Sequence, residues 1–150
     1  MFFQSQQTLS LIGAITANTY MVLIIAMFFA RIFDQIEVAK QIGFVSFFVI
    51  IPLVFLFVSG LQTNRHLVYF IWLSLMILFV IFELIIDHIL ALNFRDVQWA
   101  TMLYVMFFFG ATGGMIGIAS LAGRRWLIIS SLVFLVMFAL AFVQRSITGL

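Results

Sequence analysis

Two carboxylates and a histidine lie close together in the third apolar segment of this 150-residue chain. Glu83 and Asp87 are four residues apart and His88 follows directly, so both acids project from one face of a helix. Burial and a neighbouring carboxylate both disfavour ionisation, so that the pair can share one proton. Intramembrane acids commonly bind protons or ions. The cluster therefore predicts a binding site for a proton, a cation or a cationic solute.

A structural interpretation of the same acids stays open. Glu83 can be neutral and hydrogen-bonded between helices, while Asp87 pairs near the lipid headgroups with Arg95 or Arg31, the predicted interfacial charges. The Glu-x3-Asp-His spacing superficially resembles a set of metal ligands. Carboxylate-bridged di-metal bundles, however, need Glu-x-x-His on two helices and further Glu residues. We therefore predict no metal centre and no cofactor, and we assign no catalytic residue.

Composition excludes several classes of protein. With 66% hydrophobic and 8% charged residues, the chain is far too apolar for a water-soluble globule. It has no cysteine, which excludes thiolate catalysis, disulfide exchange and cysteine-ligated metal sites within the chain. Its net charge of +2 comes from twelve charged side chains without a basic patch, so we expect the lipid bilayer as a partner and no nucleic acid.

The hydrophobic pattern predicts an all-α integral membrane bundle of five transmembrane helices. The segments lie at about 9–33, 43–61, 67–92, 99–121 and 126–143, each near the roughly 20 apolar residues that a spanning helix needs. Backbone polar groups in hydrocarbon must be satisfied within the segment, which favours helices for such continuous runs. We predict one transmembrane helical domain over 1–150, with termini on opposite sides. Residues 1–8 contain no Lys or Arg, so the first segment is expected to be retained rather than cleaved.

The positive-inside rule leaves the orientation open. The two sides carry nearly equal numbers of basic residues: Arg65, Arg124 and Arg125 on the N-terminal side, and Arg31, Lys40, Arg95 and Arg145 on the other.

The fourth segment contains interleaved glycine pairs. Gly110 and Gly114 form one Gly-x3-Gly pair, and Gly113 and Gly117 form another on an adjacent face. Small residues let helices approach closely, so the pattern predicts close packing or dimerisation through a central helix. The alternative is an unwound segment whose backbone groups bind a ligand, as in discontinuous transporter helices.

Three further residues interrupt the apolar segments. Pro52 removes a helical hydrogen bond to the carbonyl of Phe48 and is expected to kink the second helix at about the depth of Glu83. Tyr104 lies at about the depth of Asp87, so these groups can line a polar cavity if helices one to four enclose a common interior. Asn18 is expected to form an interhelical hydrogen bond. We include Tyr104 and Asn18 among the predicted binding residues, and Pro52 with the four glycines among the predicted helix-packing residues.

The second half of the chain resembles known proteins. The stretches FELIIDHILALNFR (82–95), FFGATGGMIGIASLAGRRW (108–126) and FVQRSITG (142–149) are similar to uncharacterised small polytopic membrane proteins of bacteria and archaea. The resemblance implies a multi-pass protein of the bacterial or archaeal cell membrane, which is the inner membrane in cells that have two membranes. It implies no substrate, cofactor or catalytic residue.

Three functional hypotheses follow. The first is binding or translocation of a small solute or proton at the acidic site. The bundle that carries this site can itself be a homo-oligomer. The second hypothesis, from another class, is a structural or assembly subunit of a larger membrane complex, with the glycine helix and the apolar fifth span as contact surfaces. The third is a membrane-embedded lipid-modifying enzyme that uses Asp87, His88 and Arg95. We favour the non-enzymatic hypotheses over the enzyme.

Overall fold

The fold is a bundle of α-helices. The computed structural model describes residues 2–85 and 98–148, and the side chains in these ranges except those of 2–5, 98, 100, 101 and 148. The helices are α1 (Phe2–Ile32), α2 (Ile36–Ser46), α3 (Ile50–Gln62), α4 (Leu67–Leu84), α5 (Gln98–Ser120) and α6 (Arg124–Thr148), with a 3₁₀ turn at Phe47–Val49 between α2 and α3.

The chain is a multi-pass membrane protein, and the prediction of an all-α bundle with five spans is confirmed. Five stretches of the described residues are long and apolar enough to cross a membrane: Gln6–Ile32, Ile36–Gln62, Leu67–Leu84, Met102–Ser120 and Arg124–Ile147. The second span begins at Ile36 rather than near residue 43, because Glu37 and Lys40 lie on its first turns and pair on the surface at 3.2 Å. The third span is described from Leu67 to Leu84, and residues 86–92 of its predicted extent lie outside the described ranges.

Two tight turns end the first two spans. Asp34 and Asn64 have left-handed backbones, with φ of +58° and +48°, in the position after a helix where glycine or asparagine is usual. The N–H of Gln35 donates to the carbonyl of Ala30 at 2.8 Å, and that of Arg65 donates to the carbonyl of Gly60 at 3.1 Å. These bonds satisfy carbonyls at the helix ends and reverse the chain within a few residues.

Pro52 lies just after the interruption in the second span. The helix changes to a 3₁₀ turn at Phe47–Val49 and resumes at Ile50, and the N–H of Ile50 donates to the carbonyl of Phe47. Since proline has no N–H to offer the carbonyl of Phe48, a tighter local hydrogen-bonding pattern is the expected compensation. The interruption thus lies where the sequence predicts a kink.

The helix directions place three short segments at one membrane face. Arg65 Nη2 donates to the carbonyl of Gln6 at 2.8 Å, which brings the turn before α4 to the start of α1. α1 and α4 therefore run in the same direction, and α5 returns to the start of α6. We call this side, with Gln6 and the turns 63–66 and 121–123, the N-terminal face, and the other side the opposite face.

α1 is the most enclosed span, although the glycine-rich α5 was expected to be central. It packs against α2, α3, α5 and α6, and Tyr20 adds an edge-to-face ring contact with Phe79 of α4. Its buried face carries small and flexible side chains that let neighbours approach. The fully buried apolar and tyrosine residues of the core come from five helices: Ala14, Ala17, Tyr20, Met21, Leu53, Leu56, Leu73, Met76, Phe79, Ala111, Met115, Ala119 and Met137.

Candidate functional site

The carboxylate of Glu83 is held between two other helices. The hydroxyl of Tyr20 in α1 donates to Glu83 Oε2 at 2.7 Å. The hydroxyl of Tyr104 in α5 donates to Oε1 at 3.0 Å. Tyr20 is fully buried, whereas Glu83 and Tyr104 are partly buried. The acid therefore faces the bundle, and each of its two oxygens has a hydroxyl donor from a different span.

Aromatic rings surround this hydrogen-bonded group. The ring of Phe79 lies 6.5 Å from that of Tyr20 and 5.9 Å from that of Tyr104. Phe82 stacks on Tyr104 at 6.3 Å, and Phe108 lies 6.4 Å from the same ring. Such an environment solvates a charge poorly, so the tyrosine hydroxyls supply polar contacts that the surrounding phenylalanines cannot.

Helical geometry places the site deep in the membrane. Tyr20 lies 14 residues beyond Gln6 and 12 before Ile32, or about 21 Å and 18 Å from the two ends of the span at 1.5 Å per residue. Glu83 lies 16 residues beyond Leu67, or about 24 Å from the start of α4. Both counts put the carboxylate far from the N-terminal face and within the hydrocarbon region.

The arrangement suits a reversibly protonated carboxyl group. An ionised carboxylate only accepts hydrogen bonds, and both described tyrosine hydroxyls donate to it. A neutral carboxylic acid has one O–H to donate, and a tyrosine hydroxyl can accept as well as donate. Rotation of one hydroxyl is thus sufficient to keep the group hydrogen-bonded in either protonation state.

The predicted site is described in part. Glu83, Tyr104 and Asn18 lie within the described ranges, whereas Asp87, His88 and Arg95 lie outside them, and their roles stay predictions. The sequence predicted that Tyr104 is level with Asp87; in the structure its hydroxyl donates to Glu83. Arg31, the other predicted interfacial charge, lies in the last turn of α1 at the opposite face, while Pro52 stays a predicted packing residue. The polar cavity that these residues were expected to line is likewise still a prediction.

Sequence reasoning missed Tyr20. The residue is polar at one end and lies near the middle of an apolar span, two positions after Asn18. The depth count that related Pro52 to Glu83 places Tyr20 about 6 Å deeper than Glu83, which two long side chains can span. The signal was therefore available, although tyrosine in a membrane span more often marks an interface.

Asn18 forms a second polar contact between spans. Its Nδ2 donates to Ser130 Oγ in α6 at 2.8 Å and to the carbonyl of Ala14 at 2.8 Å. Ser130 is fully buried. The interhelical hydrogen bond expected for Asn18 is thus present and joins α1 to α6. Asn18 Oδ1 is buried with no hydrogen-bond partner in the described part of the chain.

The glycines of α5 divide into two groups. A Cβ built on Gly117 lies 2.6 Å from the Trp72 ring, and one built on Gly114 lies 3.1 Å from the Trp72 carbonyl oxygen. Cβ atoms built on Gly110 and Gly113 meet nothing within 4 Å. α5 is continuous over Gln98–Ser120, so the unwound-segment interpretation is wrong for this stretch. Close packing occurs on the face of Gly114 and Gly117, against α4.

No protein-family model, curated protein or solved structure matches the chain.

Proposed function

We propose that the protein binds a proton at Glu83 and uses this site to translocate protons or a small solute across the membrane. The observation that carries the proposal is the pair of hydrogen bonds from Tyr20 and Tyr104 to the two oxygens of one intramembrane carboxylate, at 2.7 and 3.0 Å. A carboxyl group supplied with donors and acceptors in an aromatic environment can gain and lose a proton without losing its partners.

The position of the site supports a role in transport. Glu83 belongs to α4, while its two described partners belong to α1 and α5. Protonation changes which atoms donate and which accept, and it removes a charge from a poorly solvating environment. A change of protonation therefore alters the interaction of three spans at once, which is the coupling that an ion-driven conformational change requires.

Infrared titration tests the proton site directly. With the purified protein reconstituted in lipid membranes, the carboxylic-acid C=O stretch of Glu83 is expected to appear as the pH falls and to be absent in Glu83→Gln. Glu37→Gln is the matched control, because Glu37 is 82% exposed and lies near the opposite face. A difference spectrum identical in the wild type and Glu83→Gln contradicts proton binding at this residue.

Proton flux tests translocation. The protein is reconstituted in vesicles that contain a pH-sensitive dye, and a potassium diffusion potential drives protons inward. We expect acidification with the wild type and Glu37→Gln, and none above protein-free vesicles with Glu83→Gln. Equal flux in all three proteins, with Glu83→Gln assembled normally, removes the transport proposal and leaves the structural-subunit and lipid-enzyme hypotheses. Loss of folding in Glu83→Gln is detected separately by size-exclusion chromatography in detergent.

A further inference from the structure

The N-terminal face carries exposed positive charge. Arg124 and Arg125 are the first two residues of α6, and both are exposed. His66, in the turn before α4, is exposed on the same face. No described residue forms an ion pair with either arginine, and no described Asp or Glu lies on this face. The positive charge of Arg124 and Arg125 is thus uncompensated by the described part of the protein.

The opposite face differs in its charge balance. Asp34 and Glu37 lie there with the basic residues Arg31, Lys40 and Arg145. Glu37 Oε1 pairs with Lys40 Nζ at 3.2 Å. Acidic side chains therefore offset part of the basic charge at this face. The net charge of the described residues therefore differs between the two faces more than their numbers of Lys and Arg do.

Arg65 has a different role from Arg124 and Arg125. Its Nη2 donates to the carbonyl of Gln6 at 2.8 Å and to Ser10 Oγ at 3.1 Å, and its guanidinium carbon lies 5.5 Å from the centre of the Tyr69 ring. These contacts tie the turn before α4 to the first turns of α1. The guanidinium groups of α6 are the ones that extend from the bundle.

The sequence around the two arginines is typical of the lipid-headgroup level. They begin a helix whose next residues are apolar, and Trp126, which is partly buried, follows them directly. Tryptophan is enriched at the level of the headgroups. A guanidinium group at this level can bind phosphate oxygens through two parallel hydrogen bonds.

We propose that the N-terminal face is the cytoplasmic face of the protein and that Arg124 and Arg125 bind the headgroups of anionic phospholipids there. The negative surface charge of the cytoplasmic leaflet complements the uncompensated positive face. The proposal is independent of proton binding at Glu83, since it rests on the other end of the helices.

Lipid retention tests the headgroup interaction. The full chain is incubated in detergent with equal amounts of phosphatidylglycerol and phosphatidylcholine, and the retained lipids are counted by native mass spectrometry. We expect selective retention of phosphatidylglycerol by the wild type. Arg124→Gln and Arg125→Gln, made singly and together, are expected to lower this selectivity roughly five-fold for each arginine replaced. Lysine at both positions is expected to keep much of the selectivity, because it keeps the charge.

The control lies on the same helix. Arg145 is exposed in the last turn of α6, near the opposite face, so Arg145→Gln is expected to leave phosphatidylglycerol retention unchanged. Equal retention of both lipids by the wild type overturns the proposal. So does a loss of phosphatidylglycerol retention in Arg145→Gln as large as that in the variant with both Arg124→Gln and Arg125→Gln. Inorganic phosphate is added in a separate sample; if it displaces the lipid at millimolar concentration, the site binds free phosphate and the proposal of a lipid site is wrong.

Cysteine labelling tests the orientation. Because the chain has no cysteine, Gln7→Cys and Gln35→Cys each introduce one thiol, at exposed positions near the N-terminal and opposite faces. In intact bacterial cells, a membrane-impermeant maleimide is expected to label Gln35→Cys, and Gln7→Cys only after permeabilisation. The reverse pattern overturns the cytoplasmic assignment.

Discussion

Two glycines of α5 provide a matched test of how the bundle packs. Gly117 lies against α4, and a Cβ built on it lies 2.6 Å from both Cδ2 and Cε2 of Trp72. Gly113, one turn earlier, has nothing within 4 Å of such an atom. Gly117→Ala and Gly113→Ala add the same methyl group to the same helix, one into a contact and the other into open space.

The expected difference follows from these distances. Carbon atoms in ordinary contact are about 3.5–4.0 Å apart, so the indole ring must retreat by about 1 Å to admit the methyl group of Gly117→Ala. The two helices are also close one turn nearer the start of α5, where a Cβ built on Gly114 lies 3.1 Å from the Trp72 carbonyl oxygen, so α4 cannot be displaced locally without moving this contact. Overpacking of this kind costs about 1–3 kcal/mol. Gly113→Ala is expected to be neutral or slightly stabilising, since alanine is the better helix former.

Reversible unfolding by sodium dodecyl sulfate in mixed micelles, followed by circular dichroism, measures the effect. Gly117→Ala is expected to lower the unfolding free energy, and Gly113→Ala is not. In the double variant with Trp72→Leu, the smaller side chain leaves room for the methyl group, so the combined loss is expected to be less than the sum of the single losses. Equal midpoints for the two alanine variants, or strict additivity with Trp72→Leu, refutes the contact between α4 and α5.

The same assay checks three smaller effects. Ser130→Ala removes the acceptor of the Asn18 hydrogen bond and is expected to cost about 0.6–1.7 kcal/mol, whereas Ser131→Ala, whose hydroxyl donates within its own helix, is expected to cost less. Asn64→Gly relieves the left-handed backbone and is expected to stabilise the protein by about 0.5 kcal/mol; a loss of stability contradicts the turn geometry. Glu37→Gln breaks a pair whose side chains are 82% and 56% exposed, so it is expected to change the unfolding free energy by less than about 0.5 kcal/mol.

The fold class is largely predictable from the sequence because the bilayer restricts the choice of structures. Continuous apolar runs longer than a membrane is thick must be helical, and their number sets the topology. The ends of the spans are harder to predict. The second span starts at Ile36 because Glu37 and Lys40 are accommodated on the surface of α2, and a charge count alone treats those residues as a loop.

The candidate site was predictable in part. Glu83 is conspicuous because ionisable residues in a span are rare and costly. Asn18 is conspicuous because a polar side chain in a span needs a hydrogen-bond partner on another helix. Their partners depend on helix rotation and neighbour order, which hydropathy does not determine. Tyr20 was therefore missed, and Gly110 and Gly113 were grouped with two glycines that pack against another helix.

Polar contacts explain why α1 organises the bundle. Apolar side chains distinguish poorly between lipid and another helix, so specific pairing in a membrane depends on close packing and hydrogen bonds. α1 offers Ser10 to Arg65, Asn18 to Ser130 and Tyr20 to Glu83, at successive depths and to three different parts of the chain. Any rotation or axial shift of α1 breaks several of these bonds together. The position of Glu83 between Tyr20 and Tyr104 thus depends on the same contacts that set the register of the helices, so a variant that shifts α1 is expected to disturb the hydrogen bond from Tyr20 to Glu83 as well.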